Sequence, residues 1–157
     1  MADIKNRLHI GVIGASDCSG PAADLAYDVG RHIARHDAVL FCGGLGGVME
    51  MAAKGAREAG GITVGLLPGF DFSDANPYID IAIPTGLSHA RNILVVRASM
   101  AVIAVEGSYG TLSEIALALK MGKPVIGLQT WDIGPEIIKA HSAEDAVVKA
   151  LHMVKKQ

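Results

Sequence analysis

Six short apolar runs, at 8–14, 38–42, 62–67, 79–83, 100–105 and 124–128, are separated by stretches of helical spacing along the whole chain. A run that is apolar at every position, not at every second one, describes a strand covered on both faces. Such strands alternating with helices give a parallel, doubly wound sheet. The chain therefore reads as α/β: one Rossmann-like, three-layer α/β/α domain over residues 1–157. At this length it buries roughly two thirds of its unfolded surface.

The helices carry their own punctuation. Ser19-Gly20-Pro21 sets a cap residue and a proline at a helix start, followed by Leu25, Val29 and Ile33 at helical spacing. A second helix, 46–59, stops at Gly60-Gly61. A third covers 88–99, and a fourth, 111–121, stops at Gly122 and Pro124. The last follows Ser142 with a stripe of Ala146, Val147, Ala150, Leu151 and Val154. The one long connection, 69–78, is either a solvated loop or a lid over a site.

Composition narrows the partners. Hydrophobic residues make up 50% and charged residues only 19%, so part of the apolar surface is expected to be covered by another subunit. A homo-oligomer, dimer or tetramer, is the expectation. The formal charge of −2 and the lack of any basic run beyond Lys155-Lys156 argue against nucleic acid. Cys18 and Cys42 have neither metal-ligand nor disulfide-scaffold spacing, so both are read as reduced thiols. The apolar stretch 8–15 is too short to span a bilayer and has no separate cleavage region, so a soluble, cytoplasmic protein with no membrane partner is expected.

In an open parallel sheet, ligands bind beyond the carboxyl ends of the strands, where strands turn into helices. Three such turns stand out. In Gly14-Ala15-Ser16-Asp17-Cys18-Ser19-Gly20-Pro21, Gly14 lets backbone approach a ligand and Ser16 or Ser19 could donate to an anion; Ser19 is equally a natural N-cap. In Cys42-Gly43-Gly44-Leu45-Gly46-Gly47-Val48-Met49, four glycines lie between a strand and a helix. Glycine is costly in ordered structure, so this density points to special dihedrals or to backbone N–H groups offered to an anion, the alternative being a merely tight turn. In Glu106-Gly107-Ser108-Tyr109-Gly110-Thr111-Leu112-Ser113-Glu114, glycines and hydroxyls again join a strand to a helix. Thr111 and Glu114 also have capping-box spacing, which on spacing alone favours a cap over catalysis.

Better-known signatures are absent. No turn carries Gly-x-Gly-x-x-Gly, and Gly122-Lys123-Pro124 lacks the rest of a Walker loop. His32 and His36 are four apart but lack the intervening Glu of a zinc helix, so no metal site is expected. Arg91, in Gly86-Leu87-Ser88-His89-Ala90-Arg91-Asn92, opens an apolar helix where a cation meets the positive helix end. A ligand phosphate or a carboxylate partner would offset that; an exposed Arg is the other reading.

Together these residues resemble the LONELY GUY (LOG) family, long labelled as lysine decarboxylases. Its pattern is Gly-Gly-Gly-x-x-Gly-x-Met, then an Arg opening a helix, then Pro-Gly-Gly-x-Gly-Thr-x-x-Glu. The counterparts here are 43–49, with Gly43, Gly44, Gly46, Gly47 and Met49, then Arg91, then 106–114. The resemblance covers about residues 8–130 and is nearest to the short subgroup that includes molybdenum-cofactor carrier proteins, through Ala75-Asn76-Pro77-Tyr78 and Pro84-Thr85-Gly86-Leu87. Two positions depart from the family pattern: Glu106 stands for its Pro and Ser108 for its second Gly.

The resemblance implies a phosphate-bearing, nucleotide-like ligand. By it, Thr111 and the backbone of Gly107, Ser108, Tyr109 and Gly110 bind the phosphate; Gly14 and Ser16 are added to the ligand site from the reading of their own turn. Arg91 positions substrate, and Glu114 stabilises an oxocarbenium-like centre or orients water, as in hydrolysis of the N-glycosidic bond of nucleoside 5′-monophosphates. The alternative is a non-catalytic carrier or sensor of the molybdenum cofactor or of another phosphorylated ligand. No cofactor is required beyond a molybdenum cofactor carried as ligand. A pyridoxal-phosphate lysine decarboxylase is not supported, because Lys54, Lys120, Lys123 and Lys139 have no suggestive setting.

Overall fold

The apolar runs become strands and the helical stretches become the layers on either side. The computed structural model describes residues 3–157. In chain order the elements are β1 (His9–Gly14), α1 (Pro21–Arg35), β2 (Val39–Cys42), α2 (Val48–Glu58), β3 (Ile62–Leu67) and β4 (Ile81–Pro84). Then come α3 (Asn92–Ala98), β5 (Ala101–Val105), α4 (Tyr109–Lys120), β6 (Val125–Leu128), β7 (Ile137–Lys139) and α5 (Ala143–Lys155).

All strands are parallel, in the order β4-β3-β2-β1-β5-β6-β7. The chain winds outward from β1 to β4, then returns beside β1 with β5 and winds outward the other way. The strand order reverses between β1 and β5, whose register runs from Ile10↔Ala101 to Gly14↔Val105. Gly14 and Val105 therefore end side by side, and the chains leaving them diverge to open a crevice.

The two faces are unequal. Helices α1, α2 and α5 cover one, closing a core that includes Ile10, Val12, Val29, Ile33, Leu40, Ile103 and Val147. Only α3 and α4 cover the other, over Ile13, Val95, Val96, Val102, Ile115 and Val125. Beyond their reach Ile81 and Ile83 of β4 stay 51% and 42% exposed, so the edge strand is covered on one face, not on both as its apolar run implied.

Several boundaries differ from the sequence expectation. Residue 137–139 strand β7 was not anticipated: three residues are too short for a periodic signal. Gly20 (φ 55°), not Ser19, is the N-cap of α1, with Pro21 in the first turn as expected. Residues 88–99 divide into a 3₁₀ turn, Ser88–Arg91, and α3. Helix α4 starts earlier than Thr111, with Ser108 as N-cap, so Thr111 and Glu114 are inside the helix and form no capping box.

Candidate functional site

Three helices, α1, α2 and α4, begin just beyond the carboxyl ends of β1, β2 and β5, so their amino ends lie at the crevice end of the sheet. The turns after β1 and β2 are joined: Val48 N–H donates to the Ala15 carbonyl at 2.9 Å, and Gly47 presses on the backbone of Ala15 and Ser16. Segment 69–78, expected to be a loop or a lid, clamps the second turn. Asn76 is buried, its backbone N–H donates to the Gly44 carbonyl at 2.9 Å, and its side-chain amide donates to Leu45 at 2.8 Å.

A cavity of about 370 Å³ lies in the crevice. Of the residues singled out from sequence it brings together Gly14, Ser16, Gly43, Met49, Arg91, Ser108, Gly110, Thr111 and Glu114. Leu45, His89 and Asn92 also line it and were not anticipated. Their only signal was adjacency, His89 and Asn92 flanking Arg91 in the chain.

The remaining candidates lie elsewhere. Gly44 (φ 76°) and Gly47 (φ 66°) need left-handed backbone, and a Cβ on either would strike neighbouring atoms, those of Leu67 and Gly65 or of Ala15 and Ser16. Gly46 faces Ser16 and Glu50. Packing thus requires glycine at Gly44 and Gly47, less so at Gly46, where a Cβ would come no nearer than 3.3 Å, and again at Gly43. It leaves room for the Arg91 guanidinium and the Met49 sulfur, which a Cβ would meet. Gly107 (φ 110°) makes way for the Thr111 side chain, and Tyr109 is 81% exposed, its ring 5.9 Å from that of Trp131.

Arg91 dominates the electrostatics. It is not exposed: only 7% of it is accessible, its Nη1 donates to Asn92 Oδ1 at 3.2 Å, and its Nε is buried with no hydrogen-bond partner among the described residues. Burial lowers its pKa, and the nearby charge of Glu114 opposes that. Glu114 is equally hidden at 7% exposure, and burial pushes its carboxyl up to about 7, with Arg91 pulling the other way. Full burial pushes the Cys42 thiol up to about 12, which keeps it protonated and unreactive. What the cavity offers is a buried guanidinium together with the amino end of α4, Thr111 and two serines, a setting whose chemistry suits an anion.

Glu106 departs from the family loop in backbone as well as charge. It adopts φ 49°, and its N–H donates to the Leu128 carbonyl at 3.1 Å. Proline is fixed near φ −65° and has no N–H, so it could not occupy this position. Glu106 lines a neighbouring pocket and not the Arg91 cavity. Its charge reaches Cys18, whose thiol is raised by burial first, then by Glu106, Asp17 and Glu50. Among the described residues no helix is long and apolar enough to cross a membrane.

Known proteins share this architecture. An uncharacterized protein of Archaeoglobus fulgidus is 50% identical over 122 residues, 78% of this chain and 80% of that one. The molybdenum cofactor binding protein of the phototrophic bacterium Rippkaea orientalis matches with a TM-score of 0.89 and 38% identity, over 95% of this chain and 98% of that one. The Moco carrier protein of Chlamydomonas reinhardtii matches with a TM-score of 0.86 and 36% identity, over 97% and 100%. The pattern of the LOG-like SLOG cluster4 family spans residues 7–156, and the chain belongs to that family.

Proposed function

We propose that the protein binds a phosphorylated heterocyclic small molecule as a carrier, the molybdenum cofactor being the candidate cargo. The observation that carries this reading is Arg91: a guanidinium with 7% exposure whose Nε lacks a partner, in a cavity that also receives the amino end of α4. A buried cation is stable only when paired, and a phosphate is the pair that fits. In this reading the first-turn amides of α4 and the Thr111 hydroxyl hold phosphate oxygens, while Arg91 supplies the charge. Glu114 tunes that charge by gaining or losing its proton. The similarity to two molybdenum-cofactor proteins over nearly the full chain supports the cargo.

Mass spectrometry of small molecules retained by the native protein should identify the cargo. Arg91→Met should weaken inorganic phosphate binding by about 30-fold or more, measured by calorimetry, without unfolding the protein. Unchanged affinity in that variant would sink the reading.

Hydrolysis of nucleoside 5′-monophosphates is the second reading, favoured by Glu114 lining the cavity with Arg91. Against it, Glu114 is the single carboxylate among the lining residues, and a carboxyl held near 7 is neutral about half the time at neutral pH, which weakens its hold on a developing oxocarbenium ion. Release of free base from a panel of nucleoside monophosphates, abolished by Glu114→Ala, would reinstate it. The proposal extends to a homo-oligomer in the cytoplasm. Phe70 and Phe72, 87% and 68% exposed, join Ile81 and Ile83 near the β4 edge as surface for a second copy, and light scattering checks this.

A further inference from the structure

Two strained residues stand side by side at the carboxyl ends of β5 and β6. Glu106 and Gln129 hold left-handed φ values of 49° and 52°, a region that neither side chain favours. Each follows the last residue of its strand, and the Val105↔Leu128 register makes them neighbours. Their positions are fixed: Glu106 N–H donates to the Leu128 carbonyl at 3.1 Å, and the Thr130 hydroxyl donates to the Glu106 carbonyl. Strain held this firmly accompanies a use for the side chains it aims.

Both residues line one pocket of about 550 Å³, which adjoins the Arg91 cavity through the shared Ser108. Trp131 forms a wall of it. This is the chain's single tryptophan, and its indole N–H donates to the Ser108 carbonyl at 3.1 Å, tying the ring to the loop between the two cavities. The pocket therefore presents a flat aromatic surface, a carboxylate that only accepts, and an amide that both donates and accepts. A second phosphate would be repelled by Glu106. A planar ring with adjacent N–H donors is its complement.

We propose that this pocket is the heterocycle subsite of the ligand whose phosphate sits at Arg91, and that Glu106 is its specificity-determining residue. It selects a ring edge with a ring N–H and an amino group side by side next to a carbonyl, as in a 2-amino-4-oxopyrimidine. Glu106 accepts from both donors, the Gln129 amide donates to the carbonyl, and Trp131 stacks on the ring. The inference rests on the phosphate-binding reading above.

Guanosine and inosine monophosphates, which differ only in the amino group, and inorganic phosphate are the probes. Calorimetry gives affinity, and the fluorescence of Trp131 reports on the subsite alone. GMP should bind at least about tenfold tighter than IMP, since a site built around a donor rejects the analogue lacking it. GMP should also quench Trp131, whereas inorganic phosphate should compete with GMP yet leave the fluorescence unchanged. Glu106→Gln should bring GMP and IMP to within about threefold while phosphate affinity stays put. Glu106→Gly relieves the left-handed strain, so it should melt no lower than the parent and discriminate no better than Glu106→Gln. Equal affinity for GMP and IMP, GMP binding without quenching, or discrimination that survives Glu106→Gln would each overturn the proposal. Quenching and GMP preference that ignore Arg91→Met would instead remove the phosphate reading and leave the subsite standing.

Discussion

The two glycine-rich turns look alike as sequence and are opposite as structure. In 42–47, Gly44 and Gly47 are left-handed and pressed against other backbone, Val48 is bonded to Ala15, and Asn76 closes over the turn. It is a weld between β1, β2 and β3. In 106–111, Gly107 makes way for the Thr111 side chain, but nothing lies within 4 Å of a Cβ built on Gly110, and a glutamate at the strand end is left-handed too. That turn opens onto the Arg91 cavity. Glycine density marks close packing as readily as it marks a binding loop, and only the neighbours decide between them.

The same substitution should separate the two turns. Gly47→Ala puts a methyl group into the backbone of Ala15 and Ser16 at a left-handed position, and should cost about 3 kcal/mol in urea unfolding. A loss of less than about 1 kcal/mol would show that the turn is no weld.

The next effect lies just behind the cavity-facing turn, at Glu114. Its carboxyl is raised from 4.5 to about 7 in the folded protein, so the fold prefers the protonated form. The folded state then binds more protons than the unfolded state between those values, and stability falls as pH rises through that window. Glu114→Gln removes the penalty and should stabilise the protein by roughly 2–3 kcal/mol at pH 8, with the advantage shrinking towards pH 5. Denaturation curves at the two pH values give the comparison. Sulfate, whose charge is constant over this range, should bind the parent more tightly at pH 6 than at pH 8 because neutral Glu114 leaves Arg91 uncompensated. The variant should lose that part of the dependence.

The smallest change in stability belongs to Gly110→Ala. Its new methyl group meets open cavity and replaces glycine in the first turn of α4, so stability should hold or rise by up to about 1 kcal/mol. Sulfate affinity should nonetheless fall, since the methyl group occupies the anion's approach. A gain in both would contradict a ligand-facing turn.

The fold was largely legible because its strands are buried and uninterrupted. Runs such as 100–105 and 124–128 have no other reading once helices alternate with them, whereas the strand order, with its reversal between β1 and β5, came from the structure. Arg91, Thr111 and Glu114 were legible as a motif, but their duties were not. Spacing offered a capping box; Ser108 caps α4 instead and turns Glu114 inward beside Arg91. The subsite residues left weaker traces. A left-handed glutamate has the same letter as any other, and a lone Trp131 beyond a strand carries no period. Gln129 becomes informative only when β6 is set beside β5.

Cys42 closes β2 at the heart of this arrangement, fully buried, with a thiol pushed up to about 12. A thiol reagent can reach it only when the crevice opens far enough to admit water. Its alkylation rate is therefore a clock for local opening of the switch point, independent of global unfolding. A bound anion bridging Arg91 and α4, as proposed above, should slow that clock in proportion to its occupancy, so that a chemically silent cysteine would gauge how full the cavity is.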